Sequence, residues 1–168
     1  MLLGGPNAVY RFDQSDIDRL IGILAGLSRA GAALMITPSR RTPEKLIADL
    51  DAATAGAPRI LWNGAGDNPY PAILASADAF IVTADSVNMA GEAAATGKPI
   101  HIFKPSGGSE KFARFHAALQ AHGATRTLDA NGSLATWTYE PLVSARVIAD
   151  EIHRRWKIRT NLLPGLVR

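Results

Sequence analysis

The sequence contains no cysteine in 168 residues. That excludes disulfides, thiolate catalysis and cysteine-ligated zinc, and it fits a reducing compartment. The four histidines, His101, His116, His122 and His153, lack metal-ligand spacing, so neither a metal nor a cofactor is expected. No apolar run is long enough to span a bilayer, and no signal-peptide pattern stands in the sequence. Neither sign of charge dominates: the formal net charge is +3. The basic residues are scattered apart from Arg40-Arg41 and a cluster of Arg154, Arg155, Lys157 and Arg159. Such a pattern does not argue for nucleic acid. It fits acidic small ligands, or an anionic membrane surface near the C-terminal cluster. The expected location is cytoplasmic, peripheral to a membrane at most.

What is present is an ordinary globular composition, 47% hydrophobic and 20% charged, long enough for one domain with a real core. Six short apolar runs recur at 1–3, 33–36, 59–62, 79–82, 100–103 and, more weakly, 125–128. Helical patterns lie between them. Ser15 can cap a helix carrying Ile17, Leu20, Ile21, Leu24 and Leu27, closed by Gly31. Thr42-Pro43 opens the next with proline at the first helical position. Short helices follow at 70–77 and 86–96, and Ser109 caps another running to His122. Pro141 opens a long last helix through Val147, Ile148, Ile152 and Trp156. Alternating strands and helices predict an α/β fold, a Rossmann-like doubly wound parallel sheet. The first strand should be central, flanked by the second and fourth. The domain should span 1–160, with an irregular tail at 161–168. The abrupt apolar start leads to the expectation of a further domain N-terminal to this one.

In such sheets ligands bind at the carboxyl ends of the strands. The five loops there are rich in glycine, hydroxyls, amides and arginine. The stretch TADSVNMAGEAAATGKP, residues 83–99, joins two strands through a loop and a small-residue helix. Ser86, Asn88 and Met89 stand where a helix N-terminus favours an anion. Glu92 is the one charge on that helix. It can accept two hydrogen bonds from a ribose diol, or simply face solvent. Gly4 and Gly5 can bring backbone close to a diphosphate, or allow a tight turn. Ser39, Arg40 and Arg41 can hold phosphate, or start a solvated helix. Asn68 and Tyr70 can shape a base pocket, or form an Asn-Pro turn. Lys111 can reach a ligand from a helix N-terminus, or remain a surface lysine. His116 reads as a surface or half-buried histidine, and Trp62, Trp137 and Trp156 as packing residues. Asp85 reads as a loop former, with no partner carboxylate or histidine spaced near it.

Several familiar motifs are absent. The sequence has no G-x-G-x-x-G in its first loop, no G-x-x-x-x-G-K-[ST] and no G-x-S-x-G. A self-sufficient dehydrogenase, kinase or hydrolase is therefore not expected.

The strings GGPNAVYRF, TPSRRTP, GAGDNPYPAILASAD, VTADSVNMAGEAAATGKPIHIF and KFARF occur in this order. Together they closely resemble the elongated-mitochondria (mitochondrial fission) family, whose bacterial members are often labelled nucleoside-diphosphate-sugar epimerases or glycosyltransferases. That family in turn resembles GT-B glycosyltransferases, whose C-terminal half binds the nucleotide-sugar without a metal. The resemblance implies the donor-binding half of such an enzyme. Glu92 then matches a ribose-binding glutamate, and Ser86, Asn88 and Met89 a phosphate-facing loop. Gly4, Gly5 and Asn7 match a first glycine-rich loop. Ser109, Glu110 and Lys111 occupy the donor-sugar segment, but the usual Asp-Gln pair is missing there. No catalytic residue is assigned. The acceptor and base would come from the N-terminal domain or another copy of the chain. The alternative is a non-catalytic scaffold or interaction protein of the same family.

Overall fold

Short strands that are apolar on both faces must be buried between two helical layers. The computed structural model adopts that arrangement; it describes residues 1–162, with side chains through residue 159. The strands are β1 (Leu2–Leu3), β2 (Leu34–Pro38), β3 (Arg59–Leu61), β4 (Phe80–Thr83), β5 (Ile100–Phe103) and β6 (Thr125–Thr127). The helices are α1 (Gln14–Arg29), α2 (Glu44–Ala53), α3 (Tyr70–Ser76), α4 (Val87–Ala94), α5 (Glu110–Ala121) and α6 (Ser144–Leu162). All six strands pair in parallel, in the order β3-β2-β1-β4-β5-β6. Strand order therefore reverses between β1 and β4, at the centre of the sheet.

Side-chain alternation divides the core. On one face Leu2, Phe80, Val82, Ile100 and Ile102 meet Ile73 of α3, Ala90, Ala93 and Ala94 of α4, and Leu119 of α5. On the other, Leu3, Ile36, Ile81 and Phe103 meet Leu20 and Leu24 of α1 and Leu46 and Leu50 of α2. The three alanines of α4 are fully buried. Their small side chains let that helix lie close against β4 and β5.

The ends of elements differ from expectation in three places. Asp13, not Ser15, is the N-cap of α1, and Asp16 reaches back to the Asp13 N–H. This acidic pair is a variant of the capping box, and it outcompetes a serine two residues further on. Pro43 stands at the N-cap of α2 rather than inside it. The last helix begins at Ser144, not Pro141.

The apolar residues of α6 are not buried, Trp156 among them, which was read as a packing residue. Val147, Ile148 and Ile152 are each 60% exposed, and Trp156 is 55% exposed. The sheet's two faces are already covered by the first five helices. The tail expected at 161–168 is helical in its first two residues, and the other six lie outside the described residues. No helix among the described residues is long and apolar enough to cross a membrane.

Candidate functional site

Three loops and one helix start build a cleft of about 750 Å³ at the carboxyl ends of β2, β3 and β4. Ligand pockets typically span roughly 300–1,000 Å³. Ser39, Arg40, Arg41, Asn68, Tyr70, Ser86, Asn88, Met89 and Glu92 all line it. The sequence reading named each of these, so the fold gathers nine scattered residues onto one surface. Thr37, Pro38 and Trp62 complete the lining. Trp62 was read as a packing residue; it lies just past β3, where its indole N–H donates to the Ala65 carbonyl at 3.1 Å. Its place at a strand's carboxyl end was the signal that could have flagged it.

The floor of the cleft is the start of α4. Ser86 is the N-cap, but its hydroxyl makes no capping bond. The first intrahelical bond runs from the Ala90 N–H to the Ser86 carbonyl at 3.1 Å. The N–H groups of Val87, Asn88 and Met89 precede it and carry the positive end of the helix dipole. Nearly two turns along, the exposed Glu92 carboxylate accepts a hydrogen bond from the Tyr70 hydroxyl. Burial, and then that carboxylate, push the Tyr70 phenol well above its usual range. Tyr70 is itself held by its backbone N–H, which donates to the Asn68 side chain at 3.0 Å. Across the cleft the Arg40 guanidinium is exposed and makes no ion pair among the described residues. The arrangement offers a carboxylate, an aromatic hydroxyl, a free guanidinium and a helix N-terminus around one space.

The loops after β1 and β4 are used differently. The Gly4 N–H donates to the Thr83 hydroxyl at 2.8 Å, and the Gly5 N–H to Asp85 Oδ2 at 2.9 Å. Arg41 Nη2 donates to the same oxygen at 2.9 Å, and its Nη1 to the Gly5 carbonyl at 3.2 Å. Thr42 donates to the Gly4 carbonyl at 2.6 Å. A β-carbon on Gly4 would overlap the Asp85 carboxylate, and one on Gly5 the Arg41 backbone carbonyl. These glycines are therefore needed for close packing within the protein, and their N–H groups are already engaged. Asn7 likewise uses its side-chain oxygen for the Val9 and Tyr10 N–H groups, both at 2.9 Å. Neither glycine, nor Asn7, nor the exposed Lys111 lines the cleft.

Two buried groups depart from the sequence reading. Asp85 has a fully buried side chain and an arginine partner supplied from 44 residues away. His116 is only 8% exposed, and its Nε2 lies 2.8 Å from the Ala84 carbonyl. Burial pulls the His116 imidazole below its ordinary value, with Lys104 adding to the effect. The helical signal was legible: His116 falls four residues after Phe112 and three before the buried Leu119, on the inward face of α5.

The family described as Mitochondrial fission ELM1 matches residues 1–156. The mitochondrial fission protein ELM1 of Arabidopsis thaliana is 30% identical over 165 residues, covering 94% of this chain and 39% of that protein. The uncharacterized protein RP120 of Rickettsia prowazekii (strain Madrid E) is 31% identical over 169 residues, covering 96% of this chain and 47% of that protein. The chain thus spans less than half the length of these two curated relatives. Among solved structures, a molybdenum cofactor carrier protein from Chlamydomonas reinhardtii overlaps 78% of this chain and 89% of its own. It does so at 15% identity with a TM-score of 0.47.

Proposed function

The chain belongs to the Mitochondrial fission ELM1 family, and from that starting point we propose that it is the donor-binding half of a glycosyltransferase-like protein, taking a nucleoside-diphosphate-sugar without a metal. The observation that carries this reading is the pairing of Glu92 with Tyr70 beside the open N-terminus of α4. A solvated helix glutamate needs no cleft around it. Here the carboxylate faces a concave space whose other walls favour anions. The ribose diol would donate to Glu92, and the diphosphate would lie against the Val87–Met89 N–H groups and Arg40. Tyr70 and Trp62 would border the base. In this reading the acceptor site and the base belong to a second domain or a second copy of the chain.

The test is a thermal-shift screen with UDP, GDP, ADP, CMP and their sugars, followed by calorimetry of the selected nucleotide and its nucleoside. Hydrogen bonds to a charged group contribute about 1.5–3 kcal/mol, so Glu92→Ala should weaken binding roughly ten-fold or more. Glu92→Gln keeps the shape and should lose less. Ser86→Ala should affect diphosphates more than the nucleoside. Equal affinity of wild type and Glu92→Ala for a clearly bound nucleotide would remove the ribose assignment.

A second reading, a non-catalytic scaffold, is favoured by the exposed Val147, Ile148 and Ile152 on α6. It gains if no nucleotide in the screen binds the folded protein.

A further inference from the structure

The Glu92–Tyr70 pair joins the second turn of α4 to the first residue of α3, 22 positions apart in the chain. Tyr70 is held at three points. Its backbone N–H donates to Asn68 Oδ1 at 3.0 Å. Its ring packs against the buried cluster on the α3–α4 face of the sheet. Its hydroxyl donates to Glu92 Oε2. A ring held by the core is not free to swing out and stack on a base, so what it presents to the cleft is a hydroxyl. Burial and the neighbouring carboxylate keep the phenol protonated, and the hydroxyl therefore remains a donor. Glu92, by contrast, is exposed, and its Oε1 has no hydrogen-bond partner among the described residues. An exposed glutamate normally keeps its rotamer freedom. This one is tethered by a side chain that cannot follow it.

On the nucleotide reading of the cleft, on which this inference rests, we propose that Tyr70 is the positioning residue of a ribose subsite, and that the cleft takes ribonucleoside diphosphates in preference to their deoxy counterparts. A carboxylate offers about four acceptor positions. Tyr70 takes one, on Oε2, and leaves a place on each oxygen for the two adjacent hydroxyls of a ribose. A 2′-deoxyribose fills only one of those places. Because Tyr70 already restrains the carboxylate, the diol meets a fixed acceptor and does not have to order it on binding. A tyrosine that merely occupied the carboxylate would have to move aside for the ligand, and the packing of its ring against the core opposes that.

Calorimetry on the whole chain tests this with UDP, GDP and ADP, each beside its 2′-deoxy and 2′,3′-dideoxy forms. In the wild type the ribose form should bind roughly ten-fold tighter than the dideoxy form, or more, with the 2′-deoxy form between them. Tyr70→Phe keeps the ring in the core and removes only the hydroxyl. It should weaken binding of the ribose form about two- to ten-fold and leave the dideoxy form unchanged. In a Glu92→Ala background the same substitution should have no further effect. Equal losses for the ribose and dideoxy forms would assign the effect to general structure and overturn the proposal. So would a Tyr70→Phe protein that binds the ribose form as tightly as the wild type, or more tightly. The two readings fail separately. If Glu92→Ala weakens the ribose form and Tyr70→Phe does not, the nucleotide cleft stands and the positioning role falls; if none of the nucleotides binds the wild type, both fall.

Discussion

At the centre of the rim, the loops after β1 and β4 direct their polar groups at each other. One strand outward, the loops after β2 and β3 leave theirs facing a cleft. Residue types are the same in both: glycine, threonine, arginine, an acid. In the centre Asp85, Arg41, Thr42 and Thr83 each bond to the Gly4-Gly5 backbone. In the cleft Arg40 has no ion-pair partner among the described residues, and Glu92 meets only a tyrosine hydroxyl. Polar loop residues at strand ends thus serve two ends. Some hold the sheet's switch point closed, while others are left facing the cleft.

The comparison breaks first at Gly4. Gly4→Ala would drive a methyl group into a buried carboxylate, and should cost about 4 kcal/mol or prevent folding, measured by urea denaturation. A loss below about 1 kcal/mol would mean that the centre is not tightly wired. Next comes the neighbouring pair of arginines. Arg41→Met leaves Asp85 buried without its countercharge and should cost roughly 3 kcal/mol. Arg40→Met, one residue away in the cleft, should change stability by less than about 0.5 kcal/mol. Equal effects would erase the distinction.

A smaller effect is expected on pH. Burial lowers the pKa of both His101 and His116 from the ordinary 6.5. The unfolded chain then binds more protons than the native one, so stability is full above about pH 6.5 and falls as pH drops toward the lowered native values. Each group contributes a slope of at most about 1.4 kcal/mol per pH unit. Thermal melts across this range should show it, and His116→Gln should flatten it. A profile unchanged by that substitution would mean that the His116 ring is not buried in solution. The smallest effect concerns Gly91, in the cleft-bearing helix. A methyl group there meets nothing within 4 Å, so Gly91→Ala should stabilise by about 0.5–1 kcal/mol.

What could be read in advance follows from how local each feature is. Six strands, the place of the first between the second and fourth, and the helix starts at Ser86 and Ser109 rest on neighbouring residues and general packing rules. So does the cleft, because strand ends in a doubly wound sheet converge wherever the loops lead. The pairing of Asp85 with Arg41 was not legible, since it joins two loops 44 residues apart. Gly4 and Gly5 were read as a close approach to a diphosphate or a tight turn; the approaching groups are the protein's own, the Asp85 carboxylate at Gly4 and the Arg41 backbone carbonyl at Gly5. The apolar stripe of α6 had a clear helical period. Period alone does not say whether a surface remains for it to cover.

The Gly4–Thr83 and Gly5–Asp85 bonds span 79 and 80 residues of chain. During synthesis β1 leaves the ribosome among the first residues of this domain, yet its inner partner β4 follows some eighty residues later. The switch point therefore closes a long loop, and that closure carries most of its entropic cost before any contact rewards it. The central strand, only two residues long, joins the two halves of the sheet across that loop, and the rate at which this domain folds should be governed there.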